Sequence, residues 1–106
     1  MSTGWKLFLD DERYPTKEGW IIARSSEEAI RLCLELGLPQ EITFDHDLGG
    51  DDTSMVFLTW LTNALLDKYV VFPEGFTYSV HSQNPIGVRN IQGLMDNLLR
   101  EFRQSL

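Results

Sequence analysis

Residues 41–48 read EITFDHDL, from Glu41 to Leu48. The first half, around Ile42-Thr43-Phe44, is β-branched and aromatic, the composition of a short strand. The second half sets three ionisable side chains, Asp45, His46 and Asp47, directly at its tip. Charge crowded onto a strand end lowers stability unless the fold uses it. In an open parallel sheet the carboxyl ends of the strands share one edge, and ligands sit in the crevice along it. If this segment belongs to such a sheet, Asp45–Asp47 is one wall of a site.

Three further segments have the same character: Trp5–Leu9, Trp20–Ala23 and Phe76–Val80, each bounded by Gly, Pro or charged residues. Helical periodicity fills the intervals. One helix opens at Ser25, with Glu28 three residues on as a capping box, and stops at Gly37 before Pro39. A second starts at Asp52 or Thr53, which read as capping residues after a Gly49-Gly50 turn, and runs to about Lys68 with Met55, Leu58, Leu61, Leu65 and Leu66 on one stripe. A third opens at Asn84-Pro85 and carries Val88, Ile91, Leu94, Met95, Leu98, Leu99 and Phe102. Alternation of this kind predicts an α/β fold: a small three-layer arrangement with a four-stranded, mainly parallel sheet, about three helices, and cover on both faces. One join is too short for that scheme. Asp11 to Gly19 spans nine residues, against the dozen or more of a usual crossover, so the first two strands are joined by an irregular loop or run antiparallel.

The strand ends collect the polar chemistry. Strand one runs into Asp10-Asp11-Glu12-Arg13, strand two into Arg24-Ser25, strand three into Asp45-His46-Asp47, and strand four into His81-Ser82-Gln83-Asn84. Both histidines of the chain fall on this edge. Composition narrows the partners. With 106 residues and 42% hydrophobic content the expectation is one domain, residues 1–106. A net charge of −7 with nine Lys and Arg argues against an extended nucleic-acid footprint, since that binding scales with the cations laid on phosphates. The longest apolar runs, Trp20–Ala23 and Tyr69–Phe72, are too short to span a bilayer, and Met1-Ser2-Thr3-Gly4 begins no export signal, so a soluble, cytoplasmic protein is expected. Cys33, the only cysteine, sits between Leu32 and Leu34 and reads as a core thiol in a reducing compartment.

Four motifs carry a family resemblance: L-F-L-D-D-E-R from Leu7, G-W-x-x-A-R-S-x-x-E-A-I from Gly19, F-D-H-D-L-G from Phe44 and V-H-S-x-N-P-x-G from Val80. In this order they resemble the cyclic-phosphate processing receiver-like domains, over Leu7 to about Leu94. The resemblance implies a reduced flavodoxin-like fold without the first receiver helix, which accounts for the short join, and an activity on cyclic phosphate ends or cyclic nucleotides. Compared with signalling receivers, Asp10 and Asp11 are similar to the magnesium-holding acidic pair, Asp45 to the phosphoacceptor and Ser82 to the hydroxyl of the next strand. The receiver lysine is missing: Lys6, Lys17 and Lys68 are all the lysines here, none at a strand end. His46 and His81 stand in its stead.

Opening a cyclic phosphodiester needs one group to take a proton from water and another to give one to the leaving ribose oxygen. Imidazoles suit both tasks. The expectation is a phosphoesterase acting on a 2′,3′-cyclic phosphate at an RNA or nucleotide end, or a related cyclic nucleotide or ADP-ribose derivative, with His46 and His81 as the acid–base pair. Asp45 or Asp47 would fix the tautomer of His46. Arg13, Arg24 or Arg89 would neutralise phosphate oxygens, and Ser82 and Asn84 would donate to developing charge. Asp10, Asp11 and Asp45 are the candidate ligands for Mg2+; His46 and His81 with a carboxylate are an alternative set for a transition metal. Arg24 has a blander reading as an ion pair with Asp10 and Asp45. Gly87 lets a ligand approach the backbone, and Trp20 either packs or floors the pocket for a base. Two rival functions remain: a degenerate receiver serving as a regulatory module, and a non-catalytic protein that captures a nucleotide.

Overall fold

The computed structural model describes residues 4–103. Its elements follow the expected alternation: β1 (Lys6–Leu9), β2 (Trp20–Ala23), α1 (Ser26–Leu36), β3 (Glu41–Phe44), α2 (Ser54–Leu66), β4 (Thr77–Val80) and α3 (Pro85–Phe102). The sheet order is β2-β1-β3-β4, and every pairing is parallel. Trp5 and Phe76, expected inside strands, lie one residue ahead of them and are buried.

The helix ends show which local signals the chain obeys. Ser25 caps α1 by accepting the Glu28 N–H at 3.1 Å. The Glu28 carboxylate reaches back to the Arg24 N–H at 2.6 Å, one residue earlier than a capping box requires. Thr53, not Asp52, caps α2, accepting the Met55 N–H at 3.2 Å. Asp52 serves the other helix. Its two carboxylate oxygens take the backbone N–H of Ser26 at 2.8 Å and the Ser26 hydroxyl at 2.5 Å, so it closes the first turn of α1. At its far end α2 stops before Lys68, whose φ of 61° turns the chain left-handed while the Tyr69 N–H returns to the Ala64 carbonyl at 2.8 Å.

The crossover rule then decides the layers. The connections β2→β3 through α1 and β3→β4 through α2 travel the same way across the sheet, so right-handedness puts both helices on one face. That face carries Leu7, Leu9, Ile42 and Phe44, packed with Cys33, Phe57, Leu58, Leu61, Ile91 and Met95 into a single core. Each such side chain contributes about 1.5–3 kcal/mol when withdrawn from water, and the helix layer therefore holds the fold together. The β1→β2 connection travels the opposite way, which places it on the other face. It is an irregular loop between two parallel strands, the first of the two expected alternatives. Its Pro15-Thr16-Lys17 stretch and the outward residues Phe8, Trp20, Thr43 and Ser79 enclose a hollow of about 150 Å³. The third layer is thus this loop rather than a helix.

Cys33 is buried in the core, and burial pushes its thiol up to about 12. Among the described residues no helix is long and apolar enough to cross a membrane.

Candidate functional site

Asp10, the first residue beyond β1, is fully buried. Burial alone would raise its carboxyl. The backbone N–H groups of Arg13 and Glu12, each 2.9 Å from Oδ1, together with the His81 imidazole 2.9 Å from Oδ2, outweigh burial and hold it below the usual carboxylate range. His81, the first residue beyond β4, is engaged at its other nitrogen as well. Nδ1 lies 2.9 Å from Thr43 Oγ1, which also accepts the Ser79 hydroxyl at 2.8 Å, and the ring stacks on Phe8 at 4.8 Å between centroids.

His46 is differently placed. Its Nδ1 is 3.1 Å from Asp47 Oδ1. That contact and the Asn84 amide, 3.3 Å from Asp47 Oδ2, lower the Asp47 carboxyl. Among the described residues no buried side-chain nitrogen or oxygen lacks a hydrogen-bond partner, and Nε2 of His46 has none, so Nε2 reaches solvent. The ring rests against the backbone of α3: a Cβ on Gly87 would stand 2.7 Å from its Cβ and Cδ2. What Gly87 admits is this imidazole rather than a ligand.

The carboxyl edge opens into a hollow of about 450 Å³ lined by Asp11, Glu12, Arg13, Asp45, Asp47, Gly49, Ser82, Gln83 and Asn84. Neither imidazole lines it. His46 and His81 share the edge but do not face each other across one hollow, because His81 turns to Asp10 and the outward face of the sheet while His46 turns to Asp47 and α3. Of the arginines, Arg13 is at the hollow, with Nη1 on the His81 carbonyl at 3.2 Å and Nε 4.0 Å from Asp10 Oδ2. Arg24 is not. Its guanidinium is occupied by the carbonyls of Asp10 and Arg13, at 3.1 and 2.6 Å, and by the Tyr14 ring, so it pins the loop and pairs with neither Asp10 nor Asp45 as an ion. Arg89 is exposed on α3 and does not line the hollow. Ser82 and Asn84 line it while also shaping the start of α3, where Ser82 Oγ accepts the Asn84 N–H and Asn84 Oδ1 caps Gly87.

Asp10, Asp11 and Asp45 each offer an oxygen, all within 4.8 Å of one another. Three hard carboxylate donors at that spacing fit magnesium, and Asp45, buried at the end of β3, is steadied by the His46 N–H at 2.8 Å and by the Ser54 hydroxyl on its carbonyl. Gly49 brings the 47–53 turn close to this group: with φ of 92°, its Cβ position lies 3.3 Å from Asp11 Oδ2. The imidazoles, each tied to a different carboxylate, do not share a ligand set with it. Trp20 lines the loop-side hollow and not the acidic one. Sequence reading passed over Thr43, Ser79 and Phe8. The signal was the period of two: Thr43 pairs with Ser79 in register, and Ser79 lies on the same strand face as His81.

No curated protein and no solved structure matches the chain. A family model does, over residues 5–97, and it takes in every strand, the acidic edge and most of α3. On that match the chain belongs to the family described as the cyclic-phosphate processing receiver domain.

Proposed function

We propose that this protein is a phosphoesterase that opens a cyclic phosphate, either a 2′,3′-cyclic phosphate at an RNA or nucleotide end or a related cyclic nucleotide. The observation that carries the reading is the convergence of Asp10, Asp11 and Asp45 beside a hollow whose other charged residues are Glu12, Asp47 and one cation, Arg13. Such a wall repels a bare phosphodiester, and a hard divalent cation, which these three aspartates would hold, would offset that repulsion. Bound there, magnesium would neutralise phosphate oxygens as a Lewis acid. Arg13 and Ser82, which line the hollow, would bind the remaining oxygens.

Proton transfer is assigned to His46, whose ring stands outside the hollow beside Asp47, one of its walls. Asp47 fixes hydrogen on Nδ1, which leaves the Nε2 lone pair to take the attacking water's proton through one bridging water. The P–O bond to the ribose then breaks, and the leaving oxygen is protonated by water at the exposed rim of Glu12 and Gln83, while His46 returns its proton to solvent. The expected second imidazole is not part of this scheme, since both nitrogens of His81 are engaged.

The test is a panel of cyclic-phosphate nucleotides and RNA ends incubated with wild type, His46→Ala and Asp11→Asn, with magnesium or EDTA, and followed by phosphorus NMR. Ring opening in wild type with magnesium, lost in each other arm, supports the proposal. Binding without turnover in every arm sinks it in favour of capture. A regulatory reading has one observation in its favour: Asp45 and Ser82 line the same hollow as Asp11, the receiver arrangement for an acyl phosphate. It predicts magnesium-dependent beryllofluoride binding at Asp45 and no turnover.

A further inference from the structure

His81 is fixed on three sides, by Asp10 at Nε2, by Thr43 at Nδ1 and by the Phe8 ring, whose plane is 9° from its own. Asp10 as a carboxylate only accepts, so Nε2 of His81 carries hydrogen. Nδ1 is 2.9 Å from Thr43 Oγ1, which the Ser79 hydroxyl meets in turn at 2.8 Å, so the ring cannot swing from Asp10 without giving up that bond and its stack on Phe8.

The same chain explains how Asp10 keeps its orientation. Its Oδ1 is held by two backbone amides, but among the described residues Oδ2 has only the His81 N–H at hydrogen-bond distance, with Arg13 Nε at 4.0 Å. Carboxylates that ligate metals depend on such supporting bonds, and losing one lowers metal affinity about 10–100-fold.

We infer that His81 is a positioning residue: Thr43, backed by Ser79, and the Phe8 ring fix its imidazole, and its Nε2–H aims Asp10 as a cation ligand, with no reacting proton passing through it. The inference rests on the cation reading above. Its test does not require turnover. Manganese titration followed by electron paramagnetic resonance reads cation affinity in wild type, Thr43→Val, Thr43→Ser, His81→Leu and His81→Gln, the last keeping an amide N–H for Asp10.

The expected result is manganese affinity lowered about 10-fold or more in Thr43→Val and His81→Leu and largely retained in Thr43→Ser and His81→Gln. Unchanged affinity in Thr43→Val and His81→Leu overturns the inference and leaves the cation reading standing. Wild type that binds no manganese overturns both. Should His81→Leu fail to fold, the near-isosteric Thr43→Val decides.

Discussion

The imidazole of His46 occupies the space that a side chain at Gly87 would need. Because Gly87 lies in the first turn of α3 with ordinary helical φ, the constraint is steric and not conformational. Gly87→Ala is expected to push the ring from its place beside Asp47. Overpacking of this kind costs about 1–3 kcal/mol, visible as a lower denaturation midpoint. Displacing the proposed base by about 1 Å should lower turnover about 10²-fold. A variant with the stability loss but unaltered turnover removes His46 from the reaction.

The three carboxylates at the edge repel one another, so cation binding and one neutralising substitution should act in opposite senses. Magnesium at about 100 times its dissociation constant is expected to stabilise wild type by about 2.7 kcal/mol. Asp11→Asn should be at least as stable as wild type in EDTA and gain little from magnesium. Thermal denaturation of both proteins with and without magnesium checks this, and an equal magnesium gain in both would remove Asp11 from the ligand set.

Asp10 cannot be neutralised so harmlessly. Asp10→Ala leaves the amides of Glu12 and Arg13 and the His81 N–H without their acceptor, at about 1–3 kcal/mol for each buried donor. The pH dependence follows from the direction of its shift. The folded carboxyl lies below the unfolded value of about 3.9, so its stabilisation is present above that value and is lost as pH falls through the folded pKa. Denaturant titrations from neutral pH into this acid window should show the gap between wild type and Asp10→Ala narrowing only there.

Asp52→Ala should destabilise by about 1–2 kcal/mol through the start of α1, although the residue adjoins the start of α2. A double-mutant cycle with Ser26→Ala is expected to show coupling, since that substitution removes one of the two bonds, and a cycle with Thr53→Ala near additivity. Additivity with Ser26→Ala would mean the contact contributes nothing.

The parts of this protein that could be read along the chain are those in which cause and effect lie within a few residues. The β-branched runs at Glu41–Phe44 and Trp20–Ala23, the Ser25 and Asn84 caps and the stripe on α3 depend on backbone sterics and on satisfying nearby amides, both local. The polar strand ends follow too, because parallel pairing sends every carboxyl end to one edge. The rest turns on partners far apart in sequence. Asp52 finds Ser26 twenty-six positions away, and His81 finds Asp10 seventy-one away; neither pairing leaves a trace in spacing. Arg24 shows the same limit, since its residue type fits an ion pair, a phosphate or a loop clamp equally well.

Sequence by itself determined that there would be an α/β sheet with carboxylates and both imidazoles gathered on one edge. Only the tertiary structure decided which carboxylate each imidazole holds, that the helices share one face and that a loop covers the other, because side-chain partners and crossover direction depend on sheet order and register, which no single segment encodes.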